Sequence, residues 1–86
     1  MTRFIIKVVC KATEKNENFK GETQVYYTAK NSTIRNEAYI RFLAKECGYK
    51  TKAAALQGLK KENELAKWEN GVGYWNTSCE LIEVEI

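Results

Sequence analysis

The chain contains no histidine and no aspartate among its 86 residues. Without histidine the commonest general base near neutral pH is missing, and with it the Ser-His and Cys-His pairs of nucleophilic catalysis. There is no C-x-x-C, and the three cysteines, Cys10, Cys47 and Cys79, are odd in number and far apart. That spacing suits neither a disulfide framework nor a zinc site, and reads as reduced thiols packed as small hydrophobes. No G-x-x-x-x-G-K-[ST] or G-x-G-x-x-G loop is present. Gly71-Val72-Gly73 is a lone G-x-G placed after a helix, where a phosphate loop would precede one. No metal, cofactor or catalytic residue is expected, and the chain reads as a non-enzyme. No apolar run approaches the roughly 18 residues that cross a membrane. The stretch from Met1 to Lys11 lacks the apolar core of a signal peptide and carries Lys7 inside it. A soluble, cytoplasmic protein is expected.

What is present is a globular composition, 44% hydrophobic and 29% charged, of a length that makes one domain over residues 1–86. The net charge of +3 hides an asymmetry. Residues 1–61 hold 13 Lys/Arg against 5 Glu, a net +8, and residues 62–86 hold 1 against 6, a net −5. Such a division marks either a basic binding surface beside an acidic segment or basic and acidic segments that pair inside the fold.

Period-two alternation from Arg3 to Lys11 predicts a strand, with Phe4, Ile6, Val8 and Cys10 on one side and Arg3, Ile5, Lys7, Val9 and Lys11 on the other. Ala12 to Gly21 reads as a long hairpin loop. Glu22 to Lys30 reads as a second strand, with Thr23, Val25, Tyr27 and Ala29 inward and Gln24, Tyr26 and Thr28 outward. Asn31-Ser32-Thr33 supplies N-cap candidates for a first helix to about Cys47, whose buried stripe is Tyr39, Ile40, Leu43, Ala44 and Cys47. Gly48 suits the left-handed position that ends it, and Thr51 caps a second helix running to about Glu69, with Ala55, Leu59 and Ala66 inward and Glu62 near that face. Asn70-Gly71-Val72-Gly73 stops this helix, and a last strand ends in Leu81-Ile82-Glu83-Val84-Glu85-Ile86. Basic residues of the first strand opposite Glu83 and Glu85 attract by roughly 0.2–1 kcal/mol per pair, which places the last strand beside the first. The expected fold is α+β: β-β-α-α-β, a three-stranded sheet with a two-helix hairpin packed on one face.

The segment Leu43 to Leu59, "LAKECGYKTKAAALQGL", has the outline of a DNA-binding helix-turn-helix. Ala44 and Gly48 occupy the small-residue and turn-glycine positions; the branched apolar residue expected about six further on falls on Ala54. The next core position falls on Gln57, whereas the leucines are Leu56 and Leu59, and the second helix presents Glu62 and Glu64 beside Lys60 and Lys61. Glutamates on a recognition helix repel phosphates. A small nucleic-acid-binding protein, using Arg41, Lys45, Lys50, Thr51 and Lys52, is therefore the rival reading.

The opening Phe4-Ile5-Ile6-Lys7-Val8-Val9, the stretch Asn16 to Tyr27 ("NENFKGETQVYY"), Cys47 to Ala55 and the ending Leu81 to Ile86 give a chain that resembles the small accessory proteins of bacteriophages and mobile elements. Those with assigned roles often inhibit host defence, as anti-CRISPR proteins do, by occluding a nuclease or its nucleic-acid channel. The resemblance carries no binding residue across. It implies a non-enzymatic protein that inhibits or adapts a host protein by stoichiometric binding, with a nuclease or nucleoprotein complex as the kind of partner and no membrane. The residues themselves suggest where: Ile5, Lys7, Val9, Tyr26 and Trp75 on the outer row of the sheet, and Phe42 among Arg35, Arg41 and Lys45. A homodimer through an open sheet face is a third reading.

Overall fold

A computed structural model describes residues 1–86. In chain order the elements are β1 (Thr2–Ala12), β2 (Thr23–Ala29), β3 (Ser32–Ile34), a single 3-10 turn (Glu37–Tyr39), α1 (Ile40–Cys47), α2 (Lys52–Val72) and β4 (Trp75–Glu85). The four strands form one antiparallel sheet in the order β3-β2-β1-β4. The fold is α+β, as expected, with one strand more than expected.

The extra strand lies where N-cap residues were expected. Ala29 pairs with Ser32 across a two-residue turn in which Lys30 takes a left-handed backbone, φ 54°. Glycine or asparagine usually takes the left-handed first position of such a turn, and a lysine there gave no signal. The helix cap falls instead on Asn36, whose side chain accepts from the Ala38 N–H at 2.9 Å. The 3-10 turn that follows shifts the helical phase, and Tyr39, expected inside, is exposed.

The last strand does lie beside the first, although through other charges than expected. Arg3 faces Val84, Phe4 faces Glu83, and the inter-strand ion pair is Lys7 with Glu80 at 3.9 Å. β4 is the edge strand and β1 is central.

The helices do not form a hairpin on one face. Leu43 and Ala44 of α1 pack with Ile5, Tyr27, Ala29 and Val84, whereas Leu59 of α2 packs with Ile6, Val8 and Cys10. Ile5 and Ile6 are neighbours in β1, so they point to opposite faces, and the helices cover opposite faces. The cause is written in β1. Both alternating rows carry apolar residues at their centre, and Ile5, Ile6 and Val8 are each at most 1% exposed. Burying each such side chain contributes roughly 1.5–3 kcal/mol, so neither face is left to solvent. The two inward rows assigned from sequence belong to different faces, because Ile6 faces Thr28 and Val8 faces Tyr26.

The chain passes from one face to the other at Gly48-Tyr49. Beyond the end of β2, Tyr49 lies in the plane of the sheet beside β1: its N–H donates to Phe4 C=O and its C=O accepts from Phe4 N–H, both at 2.9 Å. Its ring borders both cores, and its hydroxyl accepts from the Lys30 N–H at 3.2 Å. α2 then starts at Thr51, whose Oγ1 accepts from the Ala54 N–H at 3.2 Å, as expected. It runs three residues past Glu69 to Val72 and ends at Gly73, φ 93°. Segment 43–59 is therefore two helices separated by a sheet, and no helix-turn-helix is formed. No helix is long and apolar enough to cross a membrane.

Candidate functional site

The loop joining β1 to β2 is held against the turn between α2 and β4. Thr13 N–H donates to Tyr74 C=O at 3.1 Å, and Thr13 Oγ1 donates to Gly73 C=O. Asn16 is buried; its Nδ2 donates to Tyr74 C=O at 3.2 Å and its Oδ1 accepts from Phe19 N–H at 3.3 Å. These bonds fix the first part of the loop against the turn, and pre-ordering of this kind lowers the entropic cost of binding.

Between this loop, the last turns of α2 and the first residues of β4 lies a cleft of about 730 Å³. Phe19, Trp68, Tyr74 and Trp75 line it together with Val72, and its polar members are Lys15, Asn16, Glu17, Asn18 and Glu69. The Phe19 and Trp75 rings meet at 5.5 Å between centroids, tilted by 39°. Trp68 is 70% exposed and Tyr74 52%. Leu65, Trp68 and Val72, spaced i, i+3, i+7 on the flank of α2, are all exposed and lead into the cleft. Exposed aromatics grouped on one ordered scaffold make this cleft the candidate site.

The expected partner-binding residues do not share one surface. Ile5 is fully buried beneath α1. Lys7 and Val9 lie on that face of the sheet, beyond the short α1, with Lys7 paired to Glu80. Tyr26 is on the other face, with the Arg35 guanidinium 5.8 Å from its ring centre. Trp75 alone belongs to the aromatic cleft. Phe42 is exposed and borders a second, smaller groove of about 470 Å³ with Met1, Arg41, Lys45 and Ile86. Of the nucleic-acid set, Arg41 and Lys45 flank Phe42, while Lys50, Thr51 and Lys52 are exposed at the start of α2, where Thr51 Oγ1 is engaged as the cap.

Under α2 runs a polar seam. Asn70 and Glu69 bind Thr77, the former through its N–H at 2.6 Å and C=O at 3.1 Å, the latter through its Oγ1 at 2.9 Å. Burial, with Cys10, Glu62 and Glu69 nearby, pushes the Tyr26 phenol up to about 12. Burial and Glu62 push the Cys79 thiol up to about 11, so little thiolate exists at neutral pH. The three cysteines are unpaired, with Cys10 buried and Cys47 and Cys79 half-buried. No three His, Cys, Asp or Glu side chains converge as a metal-binding group.

Glu62 faces this seam, and its carboxyl is raised by burial first and by Glu69 second. A raised carboxyl means that the fold disfavours the charged form. The penalty is complete above the folded pKa and disappears as pH falls below the unfolded one. Glu62→Gln should therefore raise the Tm at neutral pH, and the gain should shrink to nothing as the pH is lowered through the carboxylate range. A thermal melt series across pH checks this; an equal shift at every pH would assign it to packing.

Compared with known protein families, curated proteins and solved structures, the chain matches none.

Proposed function

We propose that this chain is a non-enzymatic binding protein that inhibits or adapts a larger host protein by stoichiometric contact inside the host cell, in the manner of the phage accessory proteins it resembles. The observation that carries this reading is the aromatic cleft, where Trp68 and Tyr74 stand open to solvent on a loop and helix end tied together by Asn16 and Thr13. Large aromatic side chains on a pre-ordered surface, with a charged rim of Lys15, Glu17 and Glu69, have the make-up of a protein-binding hot spot. A pull-down from bacterial lysate, with and without nuclease treatment, tests it. A protein retained after nuclease, and lost from a Trp68→Ala/Tyr74→Ala variant, supports the reading; no capture, or capture indifferent to both residues, sinks it.

A second reading rests on Phe42, exposed between Arg41 and Lys45. An aromatic platform among cations fits a single-stranded nucleic acid, and needs no helix-turn-helix. Binding would then fall steeply with salt, and Arg41→Glu/Lys45→Glu would flatten that slope.

A further inference from the structure

β4 is bordered by β1 on one side and by no strand on the other. Which backbone groups face the open side follows from the hydrogen bonds around it. Phe4 spends both its N–H and its C=O on Tyr49, away from β4. In an antiparallel ladder, residues facing one another at such a position both turn their backbone groups outward. Glu83, which faces Phe4, therefore points its N–H and C=O away from β1. At the other end, the Asn70 side chain accepts from Thr77 N–H and donates to Thr77 C=O, which places Thr77 in the same phase. Cys79 and Leu81 lie between them and share it.

Asn70 thus does for Thr77 what one residue of a neighbouring strand would do. It closes the edge there and nowhere else. α2 begins beside Phe4 at Tyr49, on the β2 side of β1, crosses to pack chiefly against β4, and engages the edge backbone at Thr77 alone. From Cys79 to Glu83 the edge offers outward N–H and C=O groups that no protein group engages. The side chains along it are acidic and apolar in turn. Glu80 and Ile82 lie on one face, Leu81 and Glu83 on the other, and residues 76–86 hold three Glu and no Lys or Arg.

We propose that this edge takes an extended basic segment of a partner protein by strand addition, with Lys or Arg opposite Glu80 and Glu83 and apolar residues opposite Leu81 and Ile82. Main-chain bonds supply the affinity and the side-chain pattern the selectivity. Glu80 already has Lys7 at 3.9 Å, which leaves Glu83 as the stronger selector. A second copy of the chain fits less well, because pairing β4 with itself would line one seam with the glutamates of both strands. The proposal does not depend on the aromatic cleft, which lies at the Trp75 end of β4.

The test uses the full isotope-labelled chain and a short capped peptide built on Lys-Val-Val-Lys, with Glu-Val-Val-Glu as its counterpart. The basic peptide should shift the amide signals of Cys79, Leu81 and Glu83 and slow their hydrogen exchange, and the acidic peptide should not. Glu83→Lys, which leaves the backbone alone, should weaken the basic peptide by roughly tenfold, since one attraction becomes a repulsion. Glu83→Pro removes an edge N–H that β1 does not use, and should abolish the protection. The proposal is overturned if the basic peptide leaves these amides unchanged, if both peptides bind alike, or if sedimentation shows the edge occupied by a second copy.

Discussion

Gly58→Ala should destabilise the protein, and Gly71→Ala, in the same helix, should stabilise it. Both changes replace a helical glycine with the best helix former, a gain of roughly 0.5–1 kcal/mol in either place. At Gly71 the new methyl group meets nothing within 4 Å, and the gain stands. At Gly58 it would collide with the Tyr49 hydroxyl oxygen and lie 2.7 Å from Cζ. Tyr49 has no room to retreat, because its backbone is bonded to Phe4 on both groups and its hydroxyl to Lys30. Overpacking of this kind costs about 1–3 kcal/mol, which exceeds the helical gain. Tyr49→Phe removes the nearest atom, so Gly58→Ala should cost less in that background, with a coupling of about 0.5–3 kcal/mol. Denaturant or thermal unfolding of the four variants decides it. If Gly58→Ala and Gly71→Ala move stability in the same direction, the wedge formed by Tyr49 is not what holds α2 in place.

The largest effects on binding should come from the cleft. With a partner captured from lysate, Trp68→Ala and Tyr74→Ala should each weaken binding by about 2 kcal/mol, roughly thirtyfold. Their stabilities should stay within about 0.5 kcal/mol of the parent, because both side chains are largely in solvent. Phe19→Ala should differ from them. Its ring leans on Trp75 and anchors the loop there, so both binding and loop order should suffer when the ring is removed. Phe42→Ala serves as the control and should leave this contact intact. Should Trp68→Ala and Tyr74→Ala lower stability and leave the partner bound, these side chains belong to the fold and not to an interface.

Much of the fold could be read from local pattern. The two long strands and the Thr51 cap followed from period and from capping chemistry; Gly48 does end α1, but at φ −59° and not in the left-handed conformation expected of it. What could not be read was which way each row faces. Arg3, Lys7 and Lys11 mark their row as the outer one, yet Ile5 in that row is as buried as Ile6 in the other, so alternation fixes the strand without telling that both faces are covered. A short strand at Ser32–Ile34 carries too few residues to show a period, and the Lys30-Asn31 turn carries no glycine to betray it. The cleft was hidden for a different reason. It depends on Asn16 reaching Tyr74, 58 positions along the chain. One part of it was accessible. Leu65, Trp68 and Val72 sit at helical spacing off the stripe formed by Ala55, Leu59 and Ala66, and become a pattern once the helix is allowed to pass Asn70-Gly71. Phe42 shows the reverse case: its place among Arg41 and Lys45 followed from helical spacing alone, and it is exposed there.

The position of β1 between β2 and β4 also sets the order in which this protein can be assembled. Thr2 lies beside Glu85 and Ala12 beside Trp75, so one side of the central strand waits for residues synthesised after every other element of this fold. Chains dominated by such distant pairings fold in roughly milliseconds to seconds, slower than helical bundles of similar size. Residues up to Cys47 contain β1, β2, β3 and α1, enough to cover the face of Ile5. The face of Ile6 and Val8 stays uncovered until α2 arrives, and the free edge of β1 stays unpaired until β4 does. A nascent chain halted before Lys52 would therefore present an apolar face and an open strand edge together, the combination that recruits chaperones and drives aggregation.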